Sequence, residues 1–400
     1  MDFVKKTFFG FVFVIIFLCS TVVVSNLILK RPRLSDNDQH IIWIVNGKQL
    51  FIKSESGKGH QNVLIESNPT LRGYFSFLKN KTPGSFRIFC IGGSTTRGWP
   101  FNPHFSYPEM LSVFLQDLLP ERRIEVINAG LCGSDSFSDV SIVREILNYQ
   151  PDLLLIYEGR NDPCHLAYRM GVKSWVVKIH ACLLRYVYSY SFLRNSLLQN
   201  NYAGFDHTQN IKEFLSTDFK CNNYLLRRLL LKNLKIMTNI AAQKECSIML
   251  LTQVISCKEI QDKSVITEVN DWIRQFALEN NIFLIDIDYA FRNSKKPMED
   301  LIIPVSVHPD LEGYVLMAKT VCGELSRLGI IAPQDEWQWD NLKSDSQYFK
   351  RINLPYDFLS HVYKQLGDLC KIRMDMPELA KLYYKKGLRY MRNRSLPPRN

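Results

Sequence analysis

The residues that could do chemistry in this chain are a serine, a glycine, an asparagine and a histidine, in that order along the sequence. They lie in four short blocks: Ser94 in FRIFCIGGSTTRG (86–98), Gly133 in NAGLCGSDS (128–136), Asn161 in EGRND (158–162) and His308 in VHPDLEGY (307–314). A serine hydroxyl is a weak nucleophile until an imidazole takes its proton, so a serine and a histidine are the minimum for acyl transfer. Ser94 alone would fit an ordinary strand-to-helix turn, whereas the ordered set favours chemistry.

The first three blocks lie at the ends of short apolar runs, and the fourth precedes an amphipathic helix. The runs cover 86–91, 124–127 and 152–157. Such runs are typical of strands buried on both faces, as in a parallel sheet covered by helices. Gly92 and Gly93 permit a tight turn or a close backbone approach. Because the carboxyl ends of parallel strands line one crevice, these residues should meet there.

The four blocks resemble the SGNH hydrolase superfamily, also called the GDSL esterases and lipases, and most closely its bacterial branch that reads GGSTT in place of GDS. The resemblance covers roughly Phe86 to Gly329. It implies that Ser94 is the nucleophile and His308 the general base. It also implies that Ser94, Gly133 and Asn161 supply the oxyanion-hole donors, each of which is typically worth about a hundred- to a thousand-fold in rate. No cofactor is implied.

The remaining periodicity predicts a flavodoxin-like three-layer α/β/α sandwich with a five-stranded parallel sheet. Two further strands are expected at 247–254 and 282–287. Helices are expected at 106–119, 137–148, 226–241, 265–276 and 311–328. Ser106 and Glu109 have the spacing of a capping box at the start of the first helix.

Composition and the family resemblance together predict four regions: a membrane anchor with its flanks (1–34), a small lead-in (35–85), a segment that resembles an SGNH hydrolase domain (86–331), and a linker with a helical C-terminal extension (332–400). Asn46-Gly47 predicts a hairpin turn in the lead-in, which is either a β-rich segment packed on the main domain or a substrate-binding flap. The long, aromatic-rich insertion at 163–222 is either a helical lid over the site or an extra helical layer.

The C-terminal extension begins with an acidic segment, 333–345, that reads as a linker or wrapping segment. Residues 356–390 then predict a pair of helices that resembles a single tetratricopeptide repeat. One such repeat cannot bury its own apolar face. We therefore expect the pair to pack on the main domain or on a protein partner.

An uncharged apolar run over Thr7–Leu29 carries basic residues at both ends. At about 1.5 Å per residue, it is long enough for the roughly 30 Å hydrocarbon layer. The alternative is a cleaved signal peptide, with Val23 and Ser25 before the cut, but the run continues beyond that position. We favour an uncleaved anchor. The flanking charges leave its orientation open, and we place the catalytic domain outside the cytoplasm.

The patterns of charge and cysteine argue against nucleic-acid-binding and metal-binding classes of protein. The net charge of +11 and pI of about 9.1 favour anionic surfaces, but the basic residues are scattered and no nucleic-acid motif accompanies them. The ten cysteines have no metal-ligand spacing, and disulfides are left open. No glycine-rich phosphate loop occurs in the sequence. Neither a metal nor a nucleotide is therefore expected.

The predicted function is that of a membrane-anchored serine esterase or acyl hydrolase. Two alternatives stay open: an O-acyltransferase that acts on cell-surface glycans, and a degenerate, non-catalytic module that binds a partner through its C-terminal helices. His104 lies too near Ser94 in sequence to match the family's base, so we interpret it as a polar loop residue.

One position departs from the family pattern. The family has an aspartate three residues before the histidine, and this chain has Val305. That carboxylate fixes the histidine tautomer and stabilises the imidazolium, and valine can do neither. We therefore predict a Ser94–His308 dyad in which His308 Nδ1 donates to an oxygen not supplied by residue 305. The candidates are Ser306, a backbone carbonyl, Asp286, Asp288 and Asp300.

The apolar N-terminal run predicts that the full-length chain partitions with membranes, whereas a chain beginning at Ser35 is soluble and active. Fractionation of cells expressing the two forms, with protease protection in intact cells, measures both anchoring and orientation. Recovery of a soluble mature protein with its N-terminus at Asn26 would instead establish a cleaved signal peptide.

Overall fold

The computed structural model describes residues 50–53, 64–67, 76–163, 223–256, 264–303 and 307–393, with a few isolated positions within 20–26 and 183–190. The chain divides into two compact units, 1–48 with 168–212 and 49–167 with 213–400. The predicted anchor, the Asn46-Gly47 turn and the insertion at 163–222 lie almost wholly outside the described residues. No helix in the described part of the chain is both long enough and apolar enough to cross a bilayer.

The described part of the second unit contains two sheets and a series of helices. The strands are β1 (Phe51–Lys53), β2 (Leu64–Ser67), β3 (Ser76–Leu78), β4 (Ser85–Gly92), β5 (Arg123–Gly130), β6 (Leu153–Tyr157), β7 (Ser247–Leu251) and β8 (Phe283–Ile285). The helices are α1 (Ser94–Arg97), α2 (Tyr107–Leu118), α3 (Ser136–Ile146), α4 (Asn223–Ala242), α5 (Val265–Glu279), α6 (Ile287–Arg292), α7 (Met298–Leu301), α8 (Leu311–Leu328), α9 (Asp345–Arg351), α10 (Tyr356–Asp368) and α11 (Pro377–Asn393).

The central sheet is parallel and has five strands in the order β5-β4-β6-β7-β8. This order is that of flavodoxin-like folds, and the strand order reverses at β4. Ile88, Phe89, Cys90 and Ile91 in β4 are fully buried because both faces of the strand are covered. Helix α2 packs against α8, and α4 packs against α3 and α5. The predicted α/β class and parallel sheet are confirmed.

Some element boundaries differ from the prediction. Strand β8 ends at Ile285 because Asp286 turns the chain into α6, where its side chain accepts a hydrogen bond from Tyr289 N. Strand β7 ends at Leu251, ahead of the predicted residue 254. The predicted capping box is wrong: Ser106 precedes α2 but makes no side-chain cap. Its buried hydroxyl accepts from Asn128 Nδ2 at 3.1 Å instead.

The lead-in forms a separate antiparallel sheet, β1-β2-β3. Phe51 and Phe77 pack edge-on against Phe89 of β4, with ring centroids 6.1 and 5.4 Å away. The backbone N–H groups of Leu50 and Phe51 donate to the Glu145 carboxylate at 2.6 and 2.8 Å. The lead-in is therefore β-rich and packed on the main domain.

The C-terminal extension lies on the same unit. Gln338 N donates to Leu118 O at 2.9 Å, beside the stacked rings of Trp337 and Trp339, so the acidic segment wraps along the end of α2. The two predicted C-terminal helices are α10 and α11, which pack closely together. At their crossing, a Cβ on Gly367 would lie 2.5 Å from the ring of Tyr384, so glycine permits this approach.

Arg87 is a fully buried arginine at the start of β4. Its Nε donates to Glu125 at 2.6 Å, and its Nη1 and Nη2 donate to the carbonyl oxygens of Tyr149 at 2.7 Å and Leu78 at 2.9 Å. One guanidinium thus joins the lead-in to two strands of the central sheet. Charged groups this deep are found where each donor is satisfied.

Replacement Arg87→Leu should lower the free energy of unfolding by about 3 kcal/mol, because it leaves one buried carbonyl group, one partly buried carbonyl group and a partly buried carboxylate without their donor. Arg122→Leu is the matched control, since it breaks the exposed Arg122–Glu336 pair and should cost less than about 1 kcal/mol. Urea unfolding of both variants measures the difference. Equal losses would show that the buried guanidinium is not a principal support of the sheet.

Candidate functional site

Ser94 lies where the central strand ends, as the first residue of α1. Its Oγ is 2.6 Å from His308 Nε2. Strand β4 delivers the serine, and the loop before α8 delivers the histidine. Two of the four predicted site residues thus meet at hydrogen-bond distance, in the geometry of a nucleophile and its base.

The short helix α1 is fixed from the end of β5. Asn128 Nδ2 donates to Thr96 O at 2.9 Å, and Asn128 Oδ1 accepts from Gly130 N at 2.9 Å. Arg97 Nη1 donates to Gly130 O at 3.3 Å. The first residues of the block 128–136 therefore hold the serine-bearing turn in place.

The other two predicted residues converge on the same point. Asn161 Nδ2 donates to Ser134 O at 2.6 Å, and it lies so close to Gly93 that a Cβ there would be 2.7 Å away. Gly133 has a φ of +74°, a left-handed conformation that glycine adopts without strain. Its loop is tied to β4 by Leu131 N, which donates to Gly92 O at 2.9 Å.

This arrangement leaves hydrogen-bond donors beside the serine. An amide group has two N–H donors, so Asn161 keeps one after the bond to Ser134. The N–H groups of Ser94 and Gly133 donate to no backbone carbonyl among the described residues. Together these are the three donors that an oxyanion hole would use.

The His308 imidazole is half-buried and contacts Trp99, with ring centroids 4.4 Å apart. Tyr314 OH donates to Trp99 O at 2.7 Å and so fixes the tryptophan. Burial, with the Arg160 guanidinium as a second cause, lowers the pKa of His308 to about 3. The imidazole is therefore neutral at pH 7, which is the form that accepts a serine proton. His104 contacts Phe358 of α10 instead.

The predicted carboxylate substitutes for residue 305 are engaged elsewhere. Asp286 and Asp288 both accept from Arg274, at 2.9 and 3.0 Å, and Asp288 also pairs with Arg292. Asp300 is exposed in α7, on the wall of a separate cavity of about 420 Å³ beside Asp310. Residues 304–306, including Val305 and Ser306, lie outside the described residues. That His308 Nδ1 donates to an oxygen not supplied by residue 305 therefore stays a prediction.

Two neighbours of the histidine were missed by sequence reasoning, namely Trp99 and Arg160. Arg160 is buried, and its Nη1 donates to Val254 O at 3.3 Å. Arg160 lies within one of the four blocks and Trp99 directly follows another, so their position in the sequence could have indicated that they lie near the site. Nothing in the sequence showed that they would turn toward His308.

A buried pair of carboxyl groups lies beneath the Gly133 loop. Ser134 Oγ donates to Asp139 Oδ1, and Gly159 N donates to Glu158 Oε1 at 3.1 Å. The second oxygen of each carboxyl group is buried and accepts from no N–H or hydroxyl donor among the described residues. Burial, followed by the mutual effect of the two groups, raises the pKa of Glu158, and burial raises that of Asp139. We therefore expect one proton to stay between Asp139 and Glu158 above the pH at which free carboxyl groups lose theirs.

The described ranges contain no group of three histidine, cysteine, aspartate or glutamate side chains that could hold a metal ion. The side chains gathered around Ser94 are those of proton transfer and hydrogen bonding. The arrangement can therefore activate a hydroxyl nucleophile and stabilise a developing oxyanion.

Comparison with known proteins gives a family match. The model of the GDSL-like lipase/acylhydrolase family matches residues 90–316, a segment that includes all four predicted site residues. No curated protein matches the chain.

Comparison with solved structures finds matches at low sequence identity. An acetyl xylan esterase from Geobacillus stearothermophilus is 18% identical, with 60% of this chain and 95% of that chain covered and a TM-score of 0.40. A member of the lipolytic protein G-D-S-L family from Veillonella parvula is 14% identical, covering 61% and 100%, with a TM-score of 0.39. The lipase/acylhydrolase from Enterococcus faecalis is 17% identical, covering 60% and 95%, with a TM-score of 0.39.

The shared proton of Asp139 and Glu158 predicts a pH dependence of stability. Above the ordinary carboxyl pKa of about 4, the unfolded chain has lost a proton that the folded pair keeps. The contribution of this pair to the free energy of unfolding should therefore fall as pH rises, by up to about 1.4 kcal/mol per pH unit. Glu158→Gln supplies a permanent donor to Asp139 and should flatten this slope between pH 5 and 8.

Urea unfolding of the full chain at several pH values measures the slope. Glu336→Gln, at an exposed surface pair, is the matched control and should leave it unchanged. Parallel curves for wild type and Glu158→Gln would contradict the shared proton.

Proposed function

The chain belongs to the GDSL-like lipase/acylhydrolase family and is a serine hydrolase of the SGNH type, and we propose that it cleaves a carboxylic ester through an acyl-enzyme on Ser94. The observation that carries this proposal is the 2.6 Å contact between Ser94 Oγ and His308 Nε2. A neutral imidazole at that distance can take the hydroxyl proton as the oxygen attacks.

In the first half of the reaction, Ser94 Oγ attacks the ester carbonyl carbon and His308 Nε2 takes the serine proton. The carbonyl oxygen becomes an oxyanion and accepts hydrogen bonds from Ser94 N, Gly133 N and Asn161 Nδ2. The imidazolium then gives its proton to the leaving alcohol. In the second half, water attacks the acyl-enzyme and His308 takes a proton from it. The imidazolium then gives that proton to Ser94 Oγ as the bond to the acyl carbon breaks, which releases the carboxylic acid and restores the neutral His308.

The environment of His308 sets the strength of this base. A family carboxylate would stabilise the imidazolium, whereas burial and Arg160 lower the pKa here to about 3. Proton transfer to His308 therefore has less driving force than in a triad with an aspartate. We infer a Ser-His dyad whose Nδ1 donates to an oxygen that residue 305 does not supply.

We also infer where the enzyme works. The apolar run Thr7–Leu29 supports a single-pass anchor, with the catalytic domain outside the cytoplasm. The sequence GGSTT at 92–96 supports membership in the bacterial branch with that motif, and the helical pair α10–α11 resembles one tetratricopeptide repeat. The substrate is an acyl ester that reaches the site from the cell surface or the envelope.

If Ser94 is the nucleophile, a serine-directed fluorophosphonate probe should label the wild-type chain at Ser94. Ser94→Ala should abolish both labelling and ester hydrolysis while leaving the melting temperature nearly unchanged, because the half-buried hydroxyl contributes little packing. Ser346→Ala, an exposed serine on α9, is the matched control and should react like wild type. Hydrolysis by Ser94→Ala above about a tenth of the wild-type rate would contradict the assignment.

Product analysis with sugar acceptors separates hydrolysis from acyl transfer. Release of free acid in the presence of glycans is expected for a hydrolase. Appearance of acylated sugar would instead identify an O-acyltransferase that uses the same acyl-enzyme. A folded wild-type chain that neither reacts with the probe nor cleaves esters would favour the non-catalytic binding module.

A further inference from the structure

The segment that carries His308 is held at its next polar residue, Asp310. The Asp310 side chain is almost fully buried and caps α8 by accepting from Leu311 N at 2.8 Å. Asp310 N donates to Leu301 O at 2.8 Å, and Ile303 N donates to His308 O at 2.9 Å. The histidine loop is thus held at His308 itself and at Asp310, two residues beyond it.

Both carboxylate oxygens of Asp310 are also bound by the C-terminal extension. Tyr363 OH of α10 donates to Oδ1 at 2.5 Å, and Lys386 Nζ of α11 donates to Oδ2 at 2.7 Å. Lys386 is largely buried and lies over the Tyr363 ring, 5.8 Å from its centroid. Both side chains lie beyond residue 316, where the family match ends. Two side chains of the helical pair α10–α11 therefore bind a carboxylate that lies within the family segment.

The same helical pair reaches the loop that follows Ser94. Tyr363 packs on Phe101, with ring centroids 5.8 Å apart, and Phe358 contacts His104 at 4.7 Å. Phe101 in turn contacts Tyr314, which holds the backbone of Trp99. The serine side and the histidine side of the site thus share one support, although neither Tyr363 nor Lys386 touches the reacting atoms.

We propose that Tyr363 and Lys386 are positioning residues, which act through Asp310 to keep His308 Nε2 at reacting distance from Ser94. For its effect on rate the inference rests on the proposed function; for its effect on the imidazole it rests on geometry alone. A carboxylate with a buried lysine and a tyrosine has one favoured arrangement, because charge-assisted hydrogen bonds are short and directional. A displacement of about 1 Å at a catalytic group can cost about a hundred-fold in rate.

The test compares full-length Lys386→Met, Lys386→Arg and Tyr363→Phe with wild type. Lys381→Met is the matched control, since Lys381 lies on the same helix in an exposed pair with Glu378. One readout is ester turnover and the rate of Ser94 phosphonylation. The other is the NMR chemical shift of the His308 imidazole, assigned with His308→Gln, which needs no catalytic activity.

Lys386→Met should lower kcat by about ten- to a hundred-fold with KM nearly unchanged, and should shift the His308 resonance. Lys386→Arg should keep kcat and the His308 resonance close to their wild-type values, because arginine retains the positive charge and a hydrogen-bond donor. Tyr363→Phe, which retains the ring and the ion pair, should move both readouts in the same direction by a smaller amount, and it serves as the test if Lys386→Met does not fold. Lys381→Met should match wild type.

Two other results would separate the positioning role from the proposed function. Wild-type turnover and an unmoved His308 resonance in folded Lys386→Met, or in Tyr363→Phe if the former does not fold, would overturn the positioning role. If wild type itself shows no turnover and no labelling, but the His308 resonance moves in Lys386→Met and not in Lys381→Met, the proposed function fails and the positioning role stands.

Discussion

The contact between Ser94 Oγ and His308 Nε2 is the interaction that the central sheet and its loops bring together. It joins the end of the central strand β4 to a loop more than half the chain away, so it exists only when the whole sheet is assembled. Strand β4 pairs with β5 on one side and β6 on the other, and the strand order reverses there. That reversal opens the crevice in which both side chains meet.

Around this apolar sheet, the site is built on buried polar groups. Asn128, the Asp139–Glu158 pair and Arg160 are all buried, and each is bound by backbone or side-chain partners. Buried polar groups are costly when unsatisfied and strongly orienting when satisfied. Hydrogen bonds therefore hold the loops that carry Ser94, Gly133 and Asn161, while apolar packing holds the strands beneath them.

The C-terminal extension supports the site as well as extending the chain beyond the family segment. A helical pair added beyond the family segment would ordinarily be regarded as a docking module. Here α10 and α11 contact both the Asp310 end of the histidine loop and the aromatic loop after Ser94. Part of the apolar face of this helical pair is thus buried against the loops that support the site. A buried ion pair gives that packing a defined register.

The sequence by itself determined the elements whose signal is local. Continuous apolar runs marked the central strands, helical periodicity marked α8 with its bounds, and four short blocks marked the residues that now lie together. These features depend on neighbours within a few positions, because strand burial and helix amphipathicity repeat over a few residues.

Only the tertiary structure decided the partners. Ser106 and Glu109 had the spacing of a capping box, but Asn128 from another strand engages the serine hydroxyl. The sequence likewise does not indicate that Asp139 lies against Glu158 or that Lys386 pairs with Asp310. Each of these joins residues from different elements, and a one-dimensional pattern does not specify which polar side chains face each other across a folded core. Their energies depend on burial, which exists only once the chain has folded.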